Sequence, residues 1–258
     1  MSGEPALELR DVSFGYTPRE MVIRGVSARV EPGRLLAVLG PNACGKSTLL
    51  KLMLGRLRPG AGEVLLGGAS MGSISSRRRA ARLSYVPSRS TVDFEFSVRE
   101  TVELGRFVLD DDREALAAAL RVAEVDDLAE RCVRELSSGQ QQRVLLARAI
   151  YQSSGDGRVM LLDEPVSSMD LHHVHATIHT LRGIADRGVS VVVVLQDINL
   201  AARYADDVWV MKDGVILGAG PWDEVLAPEE LEGVYGVKLD RQASAGDDGR
   251  PRFDVRWH

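Results

Sequence analysis

Eight residues, Gly40-Pro41-Asn42-Ala43-Cys44-Gly45-Lys46-Ser47, constrain this chain more than any other stretch. They satisfy the spacing G-x-x-x-x-G-K-[ST]. They stand between a short apolar run, Arg34 to Leu39, and a helix-spaced apolar run that begins at Thr48 and includes Leu49, Leu50, Leu52 and Met53. Strand, glycine-rich loop and helix in that order form the context in which this spacing means a phosphate cradle. The glycines let backbone amides turn inward on an anion, and the following helix presents its N-terminus and dipole. Lys46 is expected to reach the β- and γ-phosphates of a nucleoside triphosphate, and the Ser47 hydroxyl to ligate magnesium. Cys44 lies inside the loop, at a helix N-terminus of the kind that lowers a thiol's pKa. Its default role is packing, with block of the site on alkylation as a side effect.

A phosphate-bound metal also needs a carboxylate, and Arg158 to Glu164 supplies an apolar strand ending in Asp163-Glu164. Asp163 is expected to hold magnesium through water, and Glu164 to polarise the attacking water. Val159 to Leu162 and Val189 to Leu195 read as buried strands with a helical stretch between them, which predicts a parallel sheet covered on both faces. Leu7 to Phe14 alternates apolar and polar residues, and Val22 to Val30 does so less cleanly, so the start is β. Val98 to Ile150 is the helical part, with helices over Asp112 to Ala123 and Gln140 to Ile150. Asp213-Gly214, between Val208–Met211 and Val215–Leu217, signals a hairpin. From Arg241 onward the chain is rich in Gly, Asp and Arg and is expected to be loosely held. The fold class is α/β with a β-rich start and a helical insertion.

Composition enters mainly by exclusion. The 258 residues, 45% hydrophobic and 27% charged, suffice for a sizeable core. A net charge of −5 removes the electrostatic case for a dedicated nucleic-acid binder. The longest apolar run is far short of the roughly 20 residues that a membrane helix needs. The acidic N-terminus has no apolar segment of the kind that marks a secretory signal. Two cysteines, Cys44 and Cys132, make no disulfide framework and fit a reducing compartment, so a cytosolic chain is expected.

Leu136-Ser137-Ser138-Gly139-Gln140-Gln141-Gln142-Arg143 opens a helix. Ser137 or Ser138 is expected to cap it, with Gln140 or Gln141 closing a capping box, and its free amides face a phosphate. This run resembles the signature motif of the ATP-binding cassette (ABC) proteins, and the resemblance extends over nearly the whole chain. Phe14-Gly15-Tyr16 resembles the aromatic loop that stacks on adenine, and Ser167-Ser168-Met169-Asp170 resembles the D-loop. Asp197 to Ala202, Val234 to Val237, Leu104 to Arg106 and Asp223 to Leu231 look like the branch serving ferric-siderophore, haem and cobalamin uptake. The resemblance implies a RecA-like P-loop core (about 1–88 and 156–225) with an N-terminal antiparallel β subdomain. It also implies an inserted α-helical subdomain (89–155) and a C-terminal extension (226–258), all within one nucleotide-binding domain over 1–258.

What the resemblance implies functionally is ATP and Mg2+ bound by a head-to-tail homodimer. Each ATP would meet Tyr16 and the loop Gly40, Pro41, Asn42, Ala43, Cys44, Gly45, Lys46, Ser47 and Thr48 of one chain. From the other chain it would meet Ser137, Ser138, Gly139, Gln140 and Asp170. Glu164, Gln196 and Lys46 would be catalytic, and Ser47, Asp163 and Ser88 would serve the metal. Closure would drive transmembrane permease subunits, and through them a solute-binding protein, from the cytoplasmic face of the membrane. The permease groove is expected near Ser88 to Phe96, and no nucleic acid is involved.

Three positions depart from the family pattern. Ser88 stands where a glutamine that reaches magnesium is usual, so a water would have to bridge. Gln196 replaces the switch histidine; it donates a hydrogen bond but carries no charge. Ser138 replaces the second signature glycine, a mild change unless its φ must be positive. Two readings follow. In the favoured one hydrolysis persists, slowed, on the intact Lys46, Asp163 and Glu164. In the other the chain is a structural or regulatory subunit that binds ATP and cycles poorly. A soluble non-transport ABC ATPase acting on DNA or ribosomes is a third reading, opposed by the acidic charge, the lack of a coiled coil and the single P-loop. His172, His175 and His179 share a helical face, and a polar face is expected there in preference to a metal site. Arg77-Arg78-Arg79 with Arg82 reads as a solvated face.

Overall fold

The computed structural model describes residues 4–17, 19–88, 95–154, 158–243 and 249–256. The chain opens with β1 (Leu7–Thr17) and β2 (Glu20–Val30), an antiparallel pair. Next come β3 (Leu35–Leu39) and α1 (Lys46–Met53), joined by the glycine-rich loop. β4 (Ala61–Leu66) and β5 (Ala69–Ser70) complete a four-stranded antiparallel sheet of order β2-β1-β4-β5. After α2 (Ser76–Arg82) and β6 (Leu83–Val86) comes the helical insertion, α3 (Val98–Glu103), α4 (Arg113–Val122) and α5 (Ser138–Gln152). The core resumes with β7 (Val159–Leu162), α6 (Leu171–Ala185), β8 (Ser190–Val194), α7 (Ile198–Tyr204), β9 (Asp207–Lys212) and β10 (Val215–Pro221). The chain closes with α8 (Trp222–Val225), α9 (Pro228–Tyr235), β11 (Lys238–Ala243) and β12 (Pro251–Arg256).

The second sheet has the order β10-β9-β3-β8-β7-β6, parallel throughout except for the edge strand β10. Every residue of β3, β7 and β8 is buried, as continuous apolar runs in a doubly covered sheet require. The pleat divides β3 between two cores. Leu35, Ala37 and Leu39 join α5, α6 and α7 on one face, while Leu36 and Val38 face α1 and the antiparallel sheet on the other. A third apolar cluster, from Val98 to Tyr151, holds the helical insertion together. Asp213 and Gly214 both have positive φ, 49° and 81°, as a two-residue hairpin of the expected kind demands. Among the described residues no helix is long and apolar enough to cross a membrane.

The arginine run forms α2, none of whose residues is buried, in keeping with a solvated face. The tail, expected to be loose, instead forms the antiparallel pair β11–β12. Leu239 and Phe253 enter the core, and the Asn199 amide donates to the Phe253 carbonyl (2.9 Å) while its oxygen accepts from the Phe253 N–H (2.7 Å). Two apolar anchors and a paired amide hold a segment whose composition is otherwise polar.

Candidate functional site

The loop after β3 is shaped by its glycines. Gly40 and Gly45 adopt φ of 149° and 110°, and Ala43 is also left-handed at 63°. A Cβ on Gly40 would lie 2.3 Å from the Met211 carbonyl oxygen, and one on Gly45 2.9 Å from Ile23 Cδ1, so β9 and β2 press on the loop where only glycine fits. Lys46 is 5% exposed, and its Nζ donates to the Gly40 and Pro41 carbonyls at 2.8 Å each, which curls the loop around the ammonium group. A cavity of about 150 Å³ remains between Val22, Asn42, Ala43, residues 45–48 and Glu164. A cationic, amide-lined hollow at a helix N-terminus suits a phosphate chain. Beside it stands Tyr16, 56% exposed, edge-on to Phe14 and with its hydroxyl 3.2 Å from Thr48 Oγ1. The Cys44 thiol is buried, and burial pushes its pKa up against the opposing pull of Lys46. Burial outweighs the downward pull of Lys46 and of the loop amides, in keeping with a packing role.

β7 delivers Asp163 and Glu164 to the same end of the sheet. Asp163 is 3% exposed; it accepts from the Ser47 hydroxyl at 3.0 Å and gives its backbone N–H to the Val86 carbonyl at 2.9 Å. Burial pushes its carboxyl up, the Ser47 hydrogen bond pulls it down, and the Glu164 charge adds to the rise. A buried carboxylate beside a hydroxyl, with no ion pair to a cationic side chain among the described residues, is a donor set of the hard-oxygen kind that magnesium takes. Glu164 has φ 48°, a left-handed conformation that costs a non-glycine residue on the order of 1 kcal/mol. Gln196, beyond β8, donates Nε2–H to Glu164 Oε2 at 2.9 Å. The residue in the histidine position thus holds the carboxylate expected to act on water. Ser88 is half-buried directly after β6 and Pro87. Of the stretch expected to receive a permease, Ser88 to Phe96, residues 89–94 lie outside the described residues.

The signature run behaves as its caps predict. Ser137 accepts from the Gln140 N–H (3.3 Å) and Gln140 Oε1 from the Ser137 N–H (3.0 Å), a complete capping box. Ser138 is the first residue of α5 and not left-handed, so serine there carries no backbone strain. A Cβ on Gly139 would lie 3.1 Å from the Ser168 carbonyl oxygen, which brings the signature helix against the D-loop run. Asp170 caps α6 through the His173 N–H at 3.0 Å. The histidine face is polar as expected, with His172 and His179 exposed; His175 Nδ1 lies 3.2 Å from the Tyr204 hydroxyl, and His172 neighbours Asp170 and His173.

Sequence reasoning missed two residues. Gln142 is buried and donates Nε2–H to the Pro87 carbonyl at 3.0 Å, tying α5 to the residue before Ser88. Its only signal was a glutamine on a helix face otherwise filled by Leu145, Leu146 and Ala149. Tyr235, in α9, buries its hydroxyl near Gly40 and Cys44 without a hydrogen-bond partner of good geometry, and burial pushes it up to about 12. A second hollow, about 370 Å³, opens where the insertion meets the core, bounded by Leu54, Arg79, Tyr85, Leu104, Phe107 and Arg148. Phe107 is 84% exposed at its rim.

A RecA-like parallel sheet, a P-loop, an acid pair at a neighbouring strand end and a capped signature helix define a P-loop nucleotide-binding domain. The chain belongs to the ABC transporter family, whose family model matches residues 23–167. It is an ATP-binding chain of the ATPase kind. It is 43% identical over 227 residues to the hemin import ATP-binding protein HmuV of Pseudomonas fluorescens, covering 86% of this chain and 89% of that one. It is 39% identical over 225 residues to the cobalamin import ATP-binding protein BtuD of Halobacterium salinarum, covering 84% of this chain and 56% of that one. A structure described as an inward-facing conformation of a metal-chelate type ABC transporter matches with TM-score 0.81 at 26% identity, covering 98% of both chains.

Proposed function

We propose that the chain is the ATP-hydrolysing motor of an importer for a chelated metal or tetrapyrrole, such as haem, cobalamin or a ferric siderophore. The observation that carries this reading is the connected set Ser47–Asp163 and Glu164–Gln196 at one end of the sheet, facing the Lys46 loop. Ser47 and Asp163 would hold a magnesium ion, with Ser88 reaching it through water, and the ion would neutralise phosphate charge. Lys46 and the loop amides of residues 40–48 bind and orient the phosphates, with Tyr16 against the adenine. Glu164 takes up the proton of the attacking water, and Gln196 keeps its carboxylate turned to the site. Because Gln196 supplies that hydrogen bond without a charge, turnover persists at a reduced rate.

The chain acts as one nucleotide-binding domain, with residues 1–88 and 156–225 as core, 89–155 as helical subdomain and 226–258 as extension. The separate apolar cluster of the insertion supports that division. Two copies pair head to tail, so that Ser137 to Gln140 and Asp170 of one serve the ATP of the other. The aromatic-rimmed hollow at Phe107 supports docking of a permease helix, with the chain peripheral on the cytoplasmic face of the membrane and a solute-binding protein acting through that permease. The test is steady-state ATP hydrolysis by the chain with its permease in vesicles, against Glu164→Gln as the blank. A rate well above the blank supports the motor; a rate no higher than the blank sinks it and leaves an ATP-binding regulatory subunit.

A further inference from the structure

The turn that leads from the D-loop into α6 sets Asp170 beside two histidines that take no part in the nucleotide site. Asp170, His172 and His173 each offer a ligand atom, and these atoms lie within 4.8 Å of one another. Asp170 divides its oxygens: Oδ1 caps α6, and Oδ2 faces His173 Nδ1 at 2.8 Å. The other nitrogen of that imidazole, Nε2, lies 3.8 Å from Glu124 Oε2. Glu124 follows α4 in a left-handed conformation, φ 54°, and also pairs with Arg143 of the signature helix at 3.3 Å. At 3.8 Å this is not a hydrogen bond; a side-chain rotation that brings the carboxylate about 1 Å closer would give the recurrent arrangement around protein-bound zinc, in which a carboxylate on the far nitrogen fixes the tautomer and raises the basicity of the near one.

We propose that Asp170, His172 and His173 form a binding site for a first-row divalent transition metal of the zinc class, with Glu124 orienting His173. Two imidazoles and one carboxylate suit such an ion better than magnesium, which prefers oxygen alone. Ligand atoms about 2.1 Å from a tetrahedral ion stand about 3.4 Å apart, so the 2.8 Å Asp170–His173 pair opens while the wider separations close by up to about 1.4 Å, within reach of rotations of the exposed His172 and Asp170 side chains. The α6 N-terminus sets a positive field against a cation here. The carboxylates of Asp170 and Glu124 offset it. A fourth position stays open to water or to a group from another chain. The consequence is mechanical: metal on His173 locks Glu124, and Glu124 holds Arg143, so the D-loop turn and the signature helix become one unit. Asp170 is at the same time withdrawn from contact with a partner's ATP, which makes the ion an inhibitor of turnover.

The test is a titration of tag-free, nucleotide-free full-length chain with Co2+, read by visible absorption, since cobalt reports nitrogen and oxygen ligation in zinc-type sites. One Co2+ per chain with d–d bands is expected. His172→Asn and His173→Asn should each weaken binding at least 10-fold, Glu124→Gln by 10- to 100-fold, and His175→Asn and His179→Asn not at all. Circular dichroism confirms that each variant is folded. The proposal is overturned by any of three results. These are no bands up to about 1 mM Co2+, unchanged binding by folded His172→Asn and His173→Asn, or displacement of Co2+ by millimolar Mg2+, which would assign the ion to Ser47 and Asp163.

Discussion

Asp163→Asn should make the nucleotide-free protein more stable while abolishing hydrolysis. Asp163 is 3% exposed, and among the described residues its side chain accepts one hydrogen bond, from Ser47. Removing a carboxylate from water costs several kcal/mol, and a single charged hydrogen bond returns only about 1.5–3 kcal/mol. Asparagine keeps the acceptor for Ser47 and removes the charge, for a net gain of about 1–2 kcal/mol. In a chain of this length that corresponds to a rise in Tm of about 2–8 °C. The sign follows from linkage. Burial raises the carboxyl pKa of the folded state above the usual carboxylate value. The folded state therefore binds the proton more tightly than the unfolded one, and stability is lost as pH rises through the raised pKa. The variant lacks that loss, so its advantage grows from acid toward neutral pH and then levels. Differential scanning fluorimetry without nucleotide or divalent metal, from pH 4.5 to 7.5, reads it directly. A variant that melts below the wild type at pH 7.5, or a difference that does not change with pH, refutes the reasoning.

Gln196→His should add an ionisation to the pH profile of ATP hydrolysis, above the usual histidine value because Glu164 lies beside it; a profile that superimposes on the wild type shows that position 196 does not govern the rate. Gln142→Leu keeps the volume but strips the Pro87 carbonyl of its donor, and chemical denaturation should show a loss of about 1–3 kcal/mol together with lower turnover. Tyr235→Phe removes a buried hydroxyl that has no hydrogen-bond partner of good geometry among the described residues and should raise Tm by a few degrees, about 1 kcal/mol, with ATP affinity unchanged by calorimetry.

Elements built from local pattern were legible in the sequence. Val159–Leu162 is both the expected apolar run and the strand, and the hairpin at Asp213-Gly214 follows from the φ values those residues tolerate. The P-loop, the acid pair and the Ser137 capping box are likewise local, each a short spacing with one mechanical solution. What escaped depends on residues distant in the chain. Gln142 reads as one more polar helix residue until the Pro87 carbonyl arrives beside it. The β11–β12 pair is polar on most positions, and only Leu239 and Phe253, anchored by Asn199, set it apart from a loose tail. The histidine face is polar as expected, but the partners of its residues were not legible, because helical spacing gives direction without neighbours. Tyr204 draws His175 toward α7, and Asp170 draws His173 toward the first turn.

The strand order also sets a timetable for biogenesis. β8 lies between the P-loop strand β3 and the acid-bearing β7, pairing Val38 with Val194 on one side and Leu162 with Val193 on the other. Yet β8 is the last of the three to leave the ribosome. During synthesis β3 and β7 wait unjoined, their buried faces open, until residues near 195 emerge, and the nucleotide pocket exists only after that wedge is inserted. ATP can therefore reward the chain for folding only near the end of translation. Long-range parallel pairing is intrinsically slow, so the interval in which the P-loop half stands exposed is the one in which a chaperone has most to offer.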